Sequence, residues 1–85
     1  MRIMKVGAIW CPECAIMRPR WEKVKSEFPD LEIEEMDYDK DQETRKRYNI
    51  DHVPTVIFLE GENELGRLKG LLETEEMIKE IKKYL

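Results

Sequence analysis

The chain has 85 residues, of which 41% are apolar and 40% charged, with 15 Lys and Arg against 19 Asp and Glu for a net charge of -4. That length allows one small domain over residues 1–85 and excludes a second core, and the apolar content excludes a disordered chain. The acidic balance, without a long basic block, argues against nucleic acid as a partner, and no stretch approaches the roughly 20 apolar residues of a membrane span. The N-terminus lacks the basic, apolar, small-residue order of a signal peptide, so a cytoplasmic monomer is expected.

In chain order, Arg2 to Ile9 alternates with Ile3, Val6, Ala8 and Ile9 mostly apolar, which reads as a short strand. Cys11 to Phe28 reads as a helix, because Met17, Trp21, Val24 and Phe28 recur at spacings of four, three and four along one face. Pro12 suits a first-turn position, where its missing N–H is not needed, whereas Pro19 falls inside the helix and is expected to kink it. Pro29-Asp30 ends that helix, and Leu31, Ile33 and Met36 mark a second strand running to Asp37. First strand, helix and second strand make a right-handed parallel unit.

Asp39 to Tyr48 is polar and charged and reads as a short surface helix, and Thr55-Val-Ile-Phe-Leu59 predicts a central, buried strand. Glu60 to Glu64 forms a hairpin loop into an edge strand at Leu65 to Lys69, followed by a turn at Gly70. Thr74 is the expected cap of a last helix whose Met77, Ile78, Ile81 and Leu85 face the sheet. Glu75 and Glu76 at its start and Lys82 and Lys83 at its end match the helix dipole.

Cys11-Pro12-Glu13-Cys14 stands at the head of the first helix. Two thiols at this spacing, with few other metal donors in the chain, point to reversible dithiol/disulfide chemistry. In a helix's first turn the two sulfurs come close enough to bond, while the first is expected to stay exposed at the positive end of the dipole. Cys11 is therefore the candidate nucleophile and Cys14 the resolving thiol. Two other readings of the pair stay open at this point: inert core thiols, or a metal half-site. The latter could recruit only His52 from the usual nitrogen and sulfur donors, and structural zinc wants four ligands. Cluster bridging between two copies belongs with the metal reading.

Four features in order resemble the thioredoxin-like family over nearly the whole chain: Trp10-Cys11-x-x-Cys14, Pro19 five residues later, Tyr48-x-Ile50-x-x-Val53-Pro54-Thr55, and Gly70 before the last helix. The resemblance implies an α/β fold of minimal thioredoxin-like type, βαβαββα, with a four-stranded mixed sheet flanked by three helices. It implies a cis peptide before Pro54, next to the dithiol, with the Val53 backbone pairing with a bound substrate chain. Substrate contact is expected at Trp10, Pro12, Glu13, Val53 and Pro54.

The implied activity is thiol-disulfide exchange with protein disulfides, without bound cofactor or metal. A thioredoxin reductase-like enzyme or a thiol pool would supply the electrons. The alternatives are a glutathione-coupled glutaredoxin-like enzyme and a metal-binding or interaction domain without turnover. Pro12 is glutaredoxin-like and Trp10 thioredoxin-like. Gly66 and Gly70 are single, where glutathione users carry a paired-glycine turn. Glu13 places a carboxylate between the thiols, which opposes a Cys11 thiolate and favours the disulfide. A reductant at about -270 to -220 mV is expected. Thioredoxins bury an acid six residues before the first cysteine, where this chain has Lys5. A lysine there would favour the thiolate if it approached the thiols, although a strand lysine ordinarily reaches water. Arg18, one turn after Cys14, and His52 are expected on solvated surfaces.

Overall fold

Every residue from Pro54 to Leu59 is buried in the computed structural model, which describes residues 1–85. All but the first residue of this run belongs to β3 (Thr55–Glu60), and the remaining elements are β1 (Arg2–Gly7), α1 (Pro12–Glu27), β2 (Glu32–Asp37), α2 (Gln42–Arg47), β4 (Asn63–Lys69) and α3 (Thr74–Lys83). They form one four-stranded sheet in the order β2-β1-β3-β4. β1 pairs parallel with β2 and antiparallel with β3, and β3 pairs antiparallel with β4. The expected βαβαββα order and mixed sheet are thus present, with the two central strands carrying the most apolar sequences.

Strand alternation sorts the core into two layers. Ile3, Val56 and Phe58 face α1 and α3, where Met17, Trp21, Val24, Met77 and Ile81 cover them. Met4, Val6, Ile57 and Leu59 face the other way and pack with Met36 and Ile50, edged by Tyr38, Tyr48 and Val53. Both sides of β3 are therefore apolar, which is why its sequence is a continuous hydrophobic run instead of an alternating one. No helix is long and apolar enough to cross a membrane.

α1 and β2 begin one residue later than expected and α1 ends one residue earlier, and four further boundaries differ for a local reason. β1 stops at Gly7, since Ala8 to Trp10 turn to let Cys11 N–H bond the Ala8 carbonyl at 3.2 Å. α2 begins at Gln42 instead of near Asp39, because Asp37 Oδ1 accepts the N–H groups of Asp39 and Lys40 and holds that segment as a turn. Asp41 then caps the helix, its Oδ1 accepting from Thr44 N–H at 3.1 Å. β4 starts at Asn63, so the hairpin is tighter than expected, with Gly61 at φ 62 in a conformation glycine adopts freely. α3 is capped by Glu73, one residue before Thr74, with Glu76 Oε1 accepting from Glu73 N–H at 3.1 Å. α1 continues on both sides of Pro19.

Arg67 on β4 ties the hairpin to the end of α2, donating to the Tyr48 carbonyl at 2.6 Å and pairing with Glu64. The Arg67 hydrogen bonds hold the Glu64 carboxyl below its ordinary 4.5. A depressed carboxylate stabilises the fold above its unfolded pKa, and that contribution disappears as pH falls through the folded value. Urea unfolding should therefore show wild type more stable than Glu64→Gln at about pH 7, with the gap closing by about pH 3. A gap that persisted in acid would mean that the pair contributes through packing and not charge.

Candidate active site

The head of α1 is built by its own local sequence. Cys11 is the N-cap, with extended backbone at φ -88 and ψ 107, and Pro12 follows as the first helical residue. The Cys11 sulfur folds over the first turn and accepts the Cys14 N–H at 3.1 Å, which occupies one of the free donors of a helix start. Cys11 and Cys14 are joined as a disulfide, their Cα atoms 5.3 Å apart. Cys11 is only 5% exposed. An exposed first sulfur was expected from the helix position, but capping turns it inward, and Cys14 is the less buried residue of the pair.

Exposed apolar side chains precede and follow this buried cysteine in the chain. Ile9 is 88% exposed and Trp10 60%, and Ile16 stands exposed further along α1. Trp10 does not swing freely, because its indole N–H donates to Asp39 Oδ2 at 2.7 Å. Asp39 sits on the turn that Asp37 organises, so the β2–α2 connection positions the aromatic beside Cys11. Pro12 is exposed and Glu13 half-buried.

The second wall comes from the segment before β3. The Val53–Pro54 peptide is cis, as the resemblance implied. The Pro54 carbonyl accepts the Gly70 N–H at 2.8 Å, and Thr55 Oγ1 donates to the His52 carbonyl at 2.6 Å. Gly70 has φ 84, so the turn that reaches Pro54 needs a residue without a Cβ. Gly66 is used differently: it lies opposite Phe58, where a Cβ would collide with the Tyr84 hydroxyl. The His52 side chain is on an exposed turn, as expected.

Cys14 and Pro54 line one open cleft of about 360 Å³ under α1, together with Gly7, Arg18, Lys5 and Glu35. Cys14 packs over Gly7, whose Cβ, were one present, would stand 3.4 Å from the sulfur. Lys5 departs from the expectation that it reaches water. Its side chain is 15% exposed, with Nζ 3.1 Å from Glu35 Oε1 and 5.1 Å from the Trp21 ring centroid. The indole and the carboxylate together hold the ammonium inside the cleft. Glu35 is held below the usual carboxylate range, first by its hydrogen bond from Lys5 and then by that residue's charge.

Of the residues singled out from sequence, Trp10, Cys11, Pro12, Glu13 and Cys14 lie together at the N-terminal end of α1, and of these Cys14 alone lines the cleft, which it shares with Pro54. Val53 packs instead at the edge of the opposite core layer. Asp39 and Glu35 were missed. Nothing in the linear sequence marks Asp39 as the indole's partner, whereas Glu35 is directly opposite Lys5 in the parallel register and becomes visible once that pairing is known. No group of three or more His, Cys, Asp or Glu side chains gathers where it could hold a metal ion.

A family model described as Thioredoxin matches residues 2–83. The thioredoxin of Chlamydia trachomatis is 30% identical over 77 residues, spanning 91% of this chain and 76% of that protein. Thioredoxin 1 from the thermophilic eubacterium Thermosipho africanus superposes with TM-score 0.84 at 28% identity, over 99% of this chain and 93% of that one. Reduced Schistosoma mansoni thioredoxin superposes with TM-score 0.87 at 26% identity, over 98% of this chain and 77% of that one.

Proposed function

The chain belongs to the thioredoxin family of thiol-disulfide oxidoreductases, and from that membership we propose that it reduces protein disulfides with Cys11 as nucleophile and Cys14 as resolving thiol. The observation that carries this reading is the Cys11–Cys14 disulfide at the N-terminus of α1, with Cys14 in a cleft shared with Pro54. In the reduced protein the Cys11 thiolate, favoured by the helix dipole and the first-turn N–H groups, attacks one sulfur of the substrate disulfide. That bond breaks, the other substrate sulfur leaves as a thiolate and takes up a proton, and a mixed disulfide on Cys11 remains. Cys14 then loses its proton and attacks Cys11 Sγ. The second substrate sulfur leaves with its electron pair, and two electrons have passed from the protein to the substrate.

Trp10, fixed by Asp39, lines the approach, and Pro12, Glu13, Val53 and Pro54 contact the substrate chain. Residues 1–85 act as one domain. The Glu13 carboxylate opposes the thiolate form and favours the disulfide, which supports a reducing direction at about -270 to -220 mV. A reductant of that kind suits a cytoplasm kept reduced by a thioredoxin reductase-like enzyme or a thiol pool.

The test is turnover of a disulfide-bonded protein such as insulin, with dithiothreitol as the electron source. Reduction well above the dithiothreitol background supports the proposal. A rate equal to that background, with the protein folded, rejects it.

A further inference from the structure

We infer that the cleft under α1 admits a low-molecular-weight thiol bearing a carboxylate, which is held by Arg18 and reopens the oxidised protein by attacking Cys14 Sγ. This rests on the reading of Cys11 and Cys14 as a working dithiol and names the chemical class of one electron donor for it.

Access and leaving-group chemistry select the same sulfur. Cys11 is 5% exposed and does not line the cleft, whereas the half-buried Cys14 does. Gly7 lines the cleft beside it and has no side chain to cover the Cys14 sulfur. Exchange is faster when the sulfur expelled belongs to the more acidic thiol. Cys11 Sγ stands at the N-cap and accepts the Cys14 N–H at 3.1 Å, where the helix dipole and the first-turn N–H groups favour a thiolate. Attack at Cys14 therefore expels the better leaving group. A folded protein is too large to follow this route, so small thiols enter at Cys14 and protein disulfides are met by Cys11.

The cleft does not select a donor by net charge, because Lys5 and Arg18 are balanced by Glu35 and Asp37. What distinguishes Arg18 is that the other three are engaged. Lys5 pairs with Glu35 at 3.1 Å, and Asp37 Oδ1 accepts the N–H groups of Asp39 and Lys40. Arg18 is exposed and takes part in no salt bridge. It follows Cys14 by one helical turn, so the two share a face of α1 about 6 Å apart along its axis. A guanidinium without a partner, one turn from the attacked sulfur, suits a carboxylate a few bonds from the donor's thiol.

The small thiolate bonds to Cys14 Sγ, the Cys11–Cys14 bond breaks, and Cys11 leaves with the electron pair as a thiolate. A second small thiolate then attacks the sulfur of the first. Cys14 leaves as a thiolate and takes up a proton from water, and a small disulfide departs. Two thiols are oxidised, and the protein disulfide gains two electrons.

The experiment uses the oxidised wild-type protein and no protein substrate. L-cysteine is added in large excess, early samples are quenched in acid, and the mixed disulfide is located by mass. The adduct is expected on Cys14 with Cys11 free, and an adduct chiefly on Cys11 overturns the inference. Rates give a second reading. Arg18→Gln should slow opening by L-cysteine about threefold at low salt, the effect of one exposed ion pair, with the difference closing as salt rises. Opening by cysteamine, which has the thiol and the ammonium but no carboxylate, should stay unchanged. Equal slowing with both thiols, or slowing with neither, overturns the inference. Where the adduct is too short-lived to map, this comparison decides alone. Failure of wild type to reduce insulin would instead reject the proposed function, and neither reading here depends on that assay.

Discussion

Cys11→Ser is expected to lower disulfide reduction by on the order of 10³-fold or more, because a serine hydroxyl at this helix start is not ionised and offers no comparable nucleophile. Cys14→Ser is expected to behave differently. The first attack needs only Cys11, so this variant should collect substrates as mixed disulfides that persist until an external thiol releases them. Incubating each variant with a disulfide-bonded protein and weighing the products under non-reducing conditions separates the two. The Cys14→Ser adduct should appear and should vanish in the double variant. Full activity in Cys11→Ser, or an adduct on Cys14 in wild type, would assign the nucleophile to the wrong cysteine.

Phe58→Ala should be the most damaging single change outside the dithiol. Phe58 is fully buried in the central strand, sits in the layer covered by α1 and α3, and packs against Tyr84 at a tilt of 34° with ring centroids 5.3 Å apart. Truncating such a side chain leaves a cavity and removes an aromatic pair, at a cost of about 3–5 kcal/mol. A domain of this size has about 5–15 kcal/mol in total, so urea unfolding should shift to a much lower midpoint with little change in slope. The chain between Val53 and Gly70 is anchored by β3 and β4, so the cleft wall at Pro54 should loosen with it. A loss under about 1 kcal/mol would mean that Tyr84 and Leu68 close over the gap and that the layer is less tightly packed than it stands.

Periodicity carried the fold furthest where one period dominates. The buried α1 positions Met17, Trp21 and Val24 and the unbroken Thr55 to Leu59 run were legible because a buried helical face and a strand buried on both sides leave unmistakable patterns. Boundaries set by short polar contacts were not. The α2 start depends on which carboxylate accepts which N–H, and Asp37, Asp39 and Asp41 are equivalent on paper. The two cysteines were readable from spacing, yet the burial of Cys11 follows from its extended N-cap backbone, which spacing does not encode.

Lys5 illustrates the same limit in the site. A lysine in a strand is expected to reach water, and only the register that sets Glu35 beside it, with Trp21 crossing from α1, turns it inward. Trp10 stands exposed next to Cys11, and its tether is 29 positions away in sequence. Such long-range polar contacts lie beyond what local patterns specify.

The most direct test is an equilibrium redox titration, reading the state of Cys11 and Cys14 by mass after alkylation at each poise. One two-electron transition at about -270 to -220 mV is predicted, with both thiols converting together. A transition above about -200 mV would contradict the reducing direction, and failure to form the Cys11–Cys14 disulfide at any poise would contradict dithiol exchange itself.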